Sequence, residues 1–174
     1  CKTAPSPRTF LPQTAHALWF PKANTAELRA EPTGEGTLIH AAFGAISRGT
    51  ESLVFAGNVP PDQYDAMRGP NQGGSFPFPV KYGYATVGHD DAGQAHFCLH
   101  PHQDHFHIAE TTPIPATIPP ERAILAANME TALTIVWDAR IQPGDRVNVF
   151  GAGVIGLLTA HLATRIAGTE VRIT

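Results

Sequence analysis

Six residues constrain this chain more than any others: Gly151-Ala-Gly-Val-Ile-Gly156 follows directly on the run Arg146-Val-Asn-Val-Phe150. A β-strand that runs into G-x-G-x-x-G and then a helix gives each glycine its own task. Gly151 makes the tight turn, Gly153 lets the backbone approach a pyrophosphate, and Gly156 lets the helix lie close to the strand. The helix is predicted from Val154 to Ala167, with Ile155, Leu158, Leu162 and Ile166 on one face and Gly168 as its stop. Glu170 to Thr174 then reads as a second strand, parallel to the first, which completes a βαβ unit within about 30 residues. Unpaired amides at the helix start, from Val154 and Ile155 onward, face the place where phosphates would sit. The expectation is therefore a bound NAD or NADP; the alternative is a glycine-rich turn with no ligand.

A doubly wound sheet of this type needs about six strands, yet the second strand is the last in this 174-residue sequence. The cofactor domain is expected to be incomplete, and the start at Cys1 likewise points to a longer gene product. The acid or arginine that would separate NAD from NADP falls about 20 residues past the turn, so that choice stays open.

Charge and cysteine content exclude several classes of function. The chain carries 12 basic and 15 acidic residues, net −3, and no Lys/Arg cluster, so nucleic acid is not an expected partner. No apolar stretch has membrane-spanning length, and no membrane association is expected. Cys1 and Cys98 are too few for a disulfide framework and suit a reducing, cytoplasmic compartment. A hydrophobic content of 43% is that of an ordinary packed protein, which here would act on a small molecule.

Before the βαβ unit the texture is different. Residues 1–15 hold three prolines and no periodicity, and read as an extended N-terminal arm. His16 to Phe20, Ala26 to Ala30 and Thr37 to Phe43 are short strand-like segments separated by Pro21, Pro32, Gly34 and Gly36. Proline and glycine stay dense over residues 57–88; His96 to Ile108 and Thr112 to Ile118 then supply further strand candidates. Pro119-Pro120-Glu121 suits a helix start, and Ala123 to Ala139 continues as an apolar-rich helix ending before the turn Gln142-Pro-Gly-Asp145. The predicted class is α/β plus all-β: an all-β module of residues 16–118 followed by a βαβ module of residues 119–174.

Ile141 to Leu158 resembles, almost position by position, the junction strand and glycine turn of the medium-chain dehydrogenase/reductase superfamily. Gly44-Ala-Ile-Ser-Arg-Gly-Thr-Glu51 and Pro79-Val-Lys-Tyr-Gly-Tyr-Ala-Thr-Val-Gly88 occupy the places of two further signatures of that family. Ser47 to Glu51 is similar to the bacteriochlorophyllide-dehydrogenase branch of the zinc-type alcohol-dehydrogenase-like proteins. The resemblance implies a GroES-like β domain, a truncated Rossmann doubly wound sheet, and NAD(P)-dependent hydride transfer to or from an alcohol, a carbonyl or an activated alkene. It also implies a homodimer for the full-length protein.

The departures from that family bear on the catalyst. Where its zinc-using members carry a cysteine, a His-Glu pair and a third ligand, this chain has Ser47 or Arg48, Tyr84 with Ala85, and Ala127. Catalytic zinc takes three nitrogen, sulfur or oxygen ligands and keeps one position open, which these residues do not supply. Metal-independent chemistry is the expectation, with a non-catalytic nucleotide-binding scaffold and a zinc enzyme with a rearranged histidine site as alternatives. Thr50 matches the family's relay hydroxyl, or else caps a helix after Gly49. Tyr84 could offer its phenol to a substrate oxygen, or simply pack. Glu130 could act as an acid or ligand if buried, or be a mere surface carboxylate; Arg48 could fork onto the cofactor's pyrophosphate, or be a solvated surface arginine; and Thr131 matches a family threonine near the nicotinamide.

Five of the nine histidines fall between His96 and His107. His100 and His102 flank Pro101, and His105 and His107 flank Phe106, so each pair could share one face of an extended segment. If a metal binds, His100 or His102 is the expected ligand. The alternative is a polar rim with Phe97, Leu99, Phe106 and Ile108 turned inward.

Overall fold

The computed structural model describes residues 14–174. It divides into two compact units whose boundary falls between Glu121 and Arg122. The first runs β1 (Thr14–Lys22), β2 (Thr25–Pro32), β3 (Thr37–Gly44), α1 (Thr50–Ala56), a 3-10 turn (Pro61–Gln63), β4 (Gly73–Gly74), β5 (Val80–Lys81), β6 (Thr86–His89), β7 (Ala95–Cys98), β8 (His105–Ile108) and β9 (Thr112–Pro113). A short helix, α2 (Pro120–Ala123), lies at the boundary, and the second unit holds α3 (Ala126–Asp138), β10 (Arg146–Val149), α4 (Val154–Ala163) and β11 (Glu170–Ile173).

Two antiparallel sheets build the first unit, in strand orders β2-β1-β5-β4 and β8-β3-β6-β7-β9. In β1, Ala15 and Ala17 are buried between the exposed Thr14 and His16, the two-residue period of a half-covered strand. Thr14 and Ala15 thus belong to a strand and not to the expected arm, whose other residues lie outside those described. Phe20, Val54, Val59, Phe76, Val80 and Tyr82 form one core cluster; Ile39, Cys98, Phe106 and Ile108 form another.

The expected strand from His96 to Ile108 is two strands with an irregular stretch between them. Pro101 has no amide hydrogen to donate to a ladder. The neighbouring backbone bonds elsewhere: the His100 carbonyl accepts from the Thr86 hydroxyl, the His102 carbonyl from the Leu18 amide, and the Asp104 amide donates to His16. Leu99, expected inside, is exposed, while Phe97, Phe106 and Ile108 are buried as expected. Between β6 and β7, Asp90 makes the hairpin turn. Its Oδ1 accepts the amides of Ala92 and Gln94, both at 2.9 Å, and its Oδ2 lies 3.0 Å from His96 Nε2. Those bonds, that to His96 first, hold the Asp90 carboxyl below its ordinary pKa.

In the second unit β10 and β11 pair in parallel, Arg146 opposite Glu170 through Val149 opposite Ile173, with α4 between them in sequence. The expected helix over Ala123–Ala139 is broken at Ile124 and Leu125 into α2 and α3. Helix α4 ends at Ala163, four residues before the predicted Ala167. The Thr169 hydroxyl reaches back to donate to the carbonyls of Ala163, at 2.7 Å, and Ile166, at 3.0 Å, so the last turn is closed by a side chain beyond it.

Candidate functional site

In the glycine turn of the second unit, Gly151 and Gly156 take the tight-turn and close-packing places that the sequence predicts. Gly151 has φ 102°, in the region that favours glycine, and its amide donates to the Thr174 carbonyl at 2.7 Å. Thr174 in turn donates to Val149, fastening the turn to the end of β11. A Cβ at Gly156 would collide with the Gly151 carbonyl oxygen, which is the close helix-to-strand approach this glycine serves. Gly153, extended at φ −78° and ψ 179°, caps α4 without a side-chain bond, and a Cβ there would meet nothing within 4 Å. The first amide bonded within the helix is that of Leu157, to Gly153, so the amides of Val154, Ile155 and Gly156 precede the ladder. Val154 is exposed and Ile155 half-buried.

Helix α3 carries the other two predicted residues of this unit. Glu130 is exposed, so the burial on which an acid role depended is not there. Thr131 is exposed as well, its hydroxyl donating to the Ala127 carbonyl one turn back at 3.1 Å.

A separate polar cluster gathers in the first unit around the start of α1. Gly49 is the N-cap, with no side-chain capping bond, and Thr50 is the first helical residue. Thr50 therefore does not cap the helix, and the residue is half-buried. The central residue is Glu51, which sequence reasoning passed over: it is 3% exposed, Oε1 accepts the Ser47 amide at 2.8 Å, and Oε2 lies 2.8 Å from His102 Nε2. His102 is wedged between two glycines. A Cβ at Gly83, where φ is 135°, would stand 3.0 Å from Nε2, and one at Gly44 3.1 Å from Nδ1. The signal in sequence was a pair of glycines whose side chains would have filled the imidazole's slot.

Tyr84 is half-buried against the core and meets Tyr82 edge-on, ring centroids 6.3 Å apart at 86°. The Tyr82 hydroxyl donates to the Met67 carbonyl at 2.9 Å. Burial, followed by the charges of Tyr84 and Glu51, pushes that phenol up to about 12, so it remains a neutral donor. Arg48 is exposed, and its carbonyl accepts the Ser52 hydroxyl.

The two histidines named as candidate ligands are both engaged. His100 lies flat on Phe106, centroids 3.6 Å apart and planes 2° apart, with Nδ1 2.8 Å from the Pro101 carbonyl. Burial pushes its imidazole down to about 4, so it is neutral near pH 7. His102 is held by Glu51. Among the described residues no group of three or more His, Cys, Asp or Glu side chains is arranged to hold a metal ion. No described helix is long and apolar enough to cross a membrane.

No protein-family profile matches the chain, and no curated protein does. Solved structures do match. Quinone oxidoreductase from Thermus thermophilus, known alone and with NADPH, is 19% identical with a TM-score of 0.68, over 91% of this chain and 52% of that one. Alcohol dehydrogenase from a Thermus species is 16% identical with a TM-score of 0.69, over 91% and 57%. A short chain alcohol dehydrogenase from Escherichia coli, complexed with NADH, is 13% identical with a TM-score of 0.73, over 92% and 56%. The chain spans about half the length of these structures. At such identities the likeness is one of fold: its arrangement of strands and helices is that of part of these oxidoreductases.

Proposed function

We propose that this chain is the β module and nucleotide-binding turn of an NAD(P)-dependent oxidoreductase of the medium-chain type. Its reaction is hydride transfer to or from an alcohol, a carbonyl or an activated alkene of a small-molecule substrate. The observation that carries this reading is the turn Gly151–Gly156: a left-handed glycine, an open glycine at the helix cap and a glycine in backbone contact follow a parallel strand. The cofactor fits these residues. Gly153 leaves room for a pyrophosphate, and the amides of Val154, Ile155 and Gly156 would donate to it. Bound there, the nicotinamide supplies or accepts the hydride.

The substrate oxygen needs a donor as charge develops on it. Thr50 and Tyr84 offer hydroxyls, and Glu51, 2.8 Å from Nε2, holds the imidazole of His102 in place. The residues present suit chemistry without the usual catalytic zinc: Ser47 or Arg48, Tyr84 with Ala85, and Ala127 stand where the resemblance would place its ligands.

The test is a titration of the full-length protein with NADH and NADPH, followed by the nicotinamide fluorescence, and turnover assays with aldehydes, quinones and enones. Binding that Gly153→Val abolishes, together with turnover of one substrate class, is the expected result. Tight binding without turnover across all three classes would leave a nucleotide-binding scaffold and overturn the enzyme reading; absence of binding would overturn both.

A further inference from the structure

Strand β2 is the outer strand of the sheet β2-β1-β5-β4, and among the described residues no strand pairs with its other edge. Its neighbour fixes which of its backbone groups face that edge. On β1 the Leu18 amide donates to the His102 carbonyl and the His16 carbonyl accepts the Asp104 amide, so these two residues turn their backbone groups away from β2. The direction alternates along an antiparallel strand, so Ala15, Ala17 and Trp19 bond to their register partners Glu31, Arg29 and Glu27. The amides and carbonyls of Ala26, Leu28 and Ala30 therefore point outward from the free edge.

Side chains alternate between the two faces of the sheet over the same residues. Ala26, Leu28 and Ala30 share one face and are exposed, Leu28 by 71%. On the other face Arg29 Nε donates to Glu27 Oε1 at 2.6 Å, and the guanidinium lies over the Trp19 ring, 4.6 Å from its centroid. A free edge invites another strand, and charge, lysine above all, is a common guard against it. Here the two signs flank Leu28, acid before and base after. A twofold rotation about Leu28 brings Glu27 opposite the partner's Arg29, and Arg29 opposite the partner's Glu27.

We propose that β2 pairs antiparallel with β2 of a second copy of this chain, Leu28 opposite the partner's Leu28, joining two four-stranded sheets into one. The backbone agrees with this register. Leu28 forms a hydrogen-bonded pair, as do Ala26 and the partner's Ala30, and each is a residue whose groups point outward. Glu27 and the partner's Arg29 fall at the closer pair position, Cα atoms about 4.5 Å apart, where opposite charges attract. Sliding the strands by two residues sets Arg29 against the partner's Arg29, or Glu27 against the partner's Glu27, so charge selects the register. The pattern Glu27-Leu28-Arg29 is complementary to itself, which favours a second copy over a peptide of other sequence. One strand pair is a small contact, and dimers are expected to form reversibly, at concentrations of about tens of micromolar. The edge shares no residue with the glycine turn or with the Glu51–His102 cluster, and the proposal stands or falls apart from the proposed activity.

The experiment is cross-linking of the full-length protein, in a Cys1→Ser background, with a short bismaleimide, read on a denaturing gel. Cys98 is 1% exposed and stays in place. Leu28→Cys is expected to link two copies, and Leu53→Cys, on the exposed side of α1, is expected not to. Within the Leu28→Cys chain, Arg29→Glu and Glu27→Arg each lower the linked fraction by about tenfold, because each sets like charges opposite one another. The two reversals together restore the opposite pairs and the link, which loss of a merely structural contact would not do. Circular dichroism confirms that each variant is folded. Equal linking at Leu53→Cys, or a combined variant that fails to recover what the single reversals lose, would overturn the proposal. Absence of any link at Leu28→Cys would overturn it too, and would leave the edge to an extended peptide of another protein.

Discussion

Glu51 and His102 meet across 51 residues of sequence, with Oε2 of the carboxylate 2.8 Å from Nε2 of the imidazole. The other carboxylate oxygen takes the Ser47 amide, so one buried side chain ties the loop before α1 to the irregular stretch between β7 and β8.

Removing either partner has unequal consequences. His102→Ala leaves one oxygen of a 3% exposed carboxylate without its partner, at a cost of about 2–4 kcal/mol. Glu51→Gln keeps an acceptor for Ser47 and a donor for the ring, and is expected to cost less. Urea midpoints of the two variants check this; equal losses would mean that the neutral amide does not replace the carboxylate.

His100 makes stability depend on pH in a defined window. Its folded pKa, pushed down to about 4, lies below the value of about 6.5 expected for the unfolded chain. Between the two the unfolded state binds the extra proton, so stability rises with pH there and is lost as pH falls from about 6.5 to about 4. The slope is at most about 1.4 kcal/mol per pH unit from this group. Asp90 and Asp104, both held below the ordinary carboxylate value, add losses of the same sign at still lower pH. Denaturant titrations across this range should show the slope, and His100→Phe should flatten it.

Cys98 is predicted to be inert in the folded protein. It is 1% exposed, and burial pushes its thiol up to about 11, so little of the reactive thiolate exists near pH 8. Peptide-level mass spectrometry after iodoacetamide should find Cys98 unmodified until denaturant is added. Rapid alkylation of the native protein would show that this strand opens readily.

The second and third glycines of the turn separate binding from stability. Gly156→Ala drives a methyl group into the Gly151 carbonyl, a backbone atom that cannot swing away, and is expected to cost about 1–3 kcal/mol. Gly153→Ala meets nothing within 4 Å and should leave the melting temperature unchanged while weakening nucleotide binding. Thermal melts beside nucleotide titrations read both effects.

What the sequence made legible was mostly local. The parallel βαβ unit depends on contacts within one short stretch, and Gly151 and Gly156 adopt the tight turn and the close packing expected of them. The end of α4 was misjudged because Thr169 closes the helix from outside it, a contact that apolar periodicity does not encode. Alternation placed Phe106 and Ile108 inward, but nothing near them in sequence announced that His40 would stand opposite His105. Glu51 was hidden for the same reason: its partner is distant, and its value comes from burial. Glu130, noticed for its place in the sequence, is exposed.

The Asp90 turn sets an order of assembly. Its bonds to Ala92, Gln94 and His96 close a loop of a few residues, whereas joining β3 to β8 must bring His40 and His105 together across most of the unit. Short loops close at far smaller entropic cost, so the β6–β7 hairpin is expected to be present when the sheet's rate-limiting barrier is crossed. Asp90→Ala should then slow refolding more than it hastens unfolding, which stopped-flow measurements of both rates would show. The carboxylate's effect on this unit would lie in how fast the sheet finds its register.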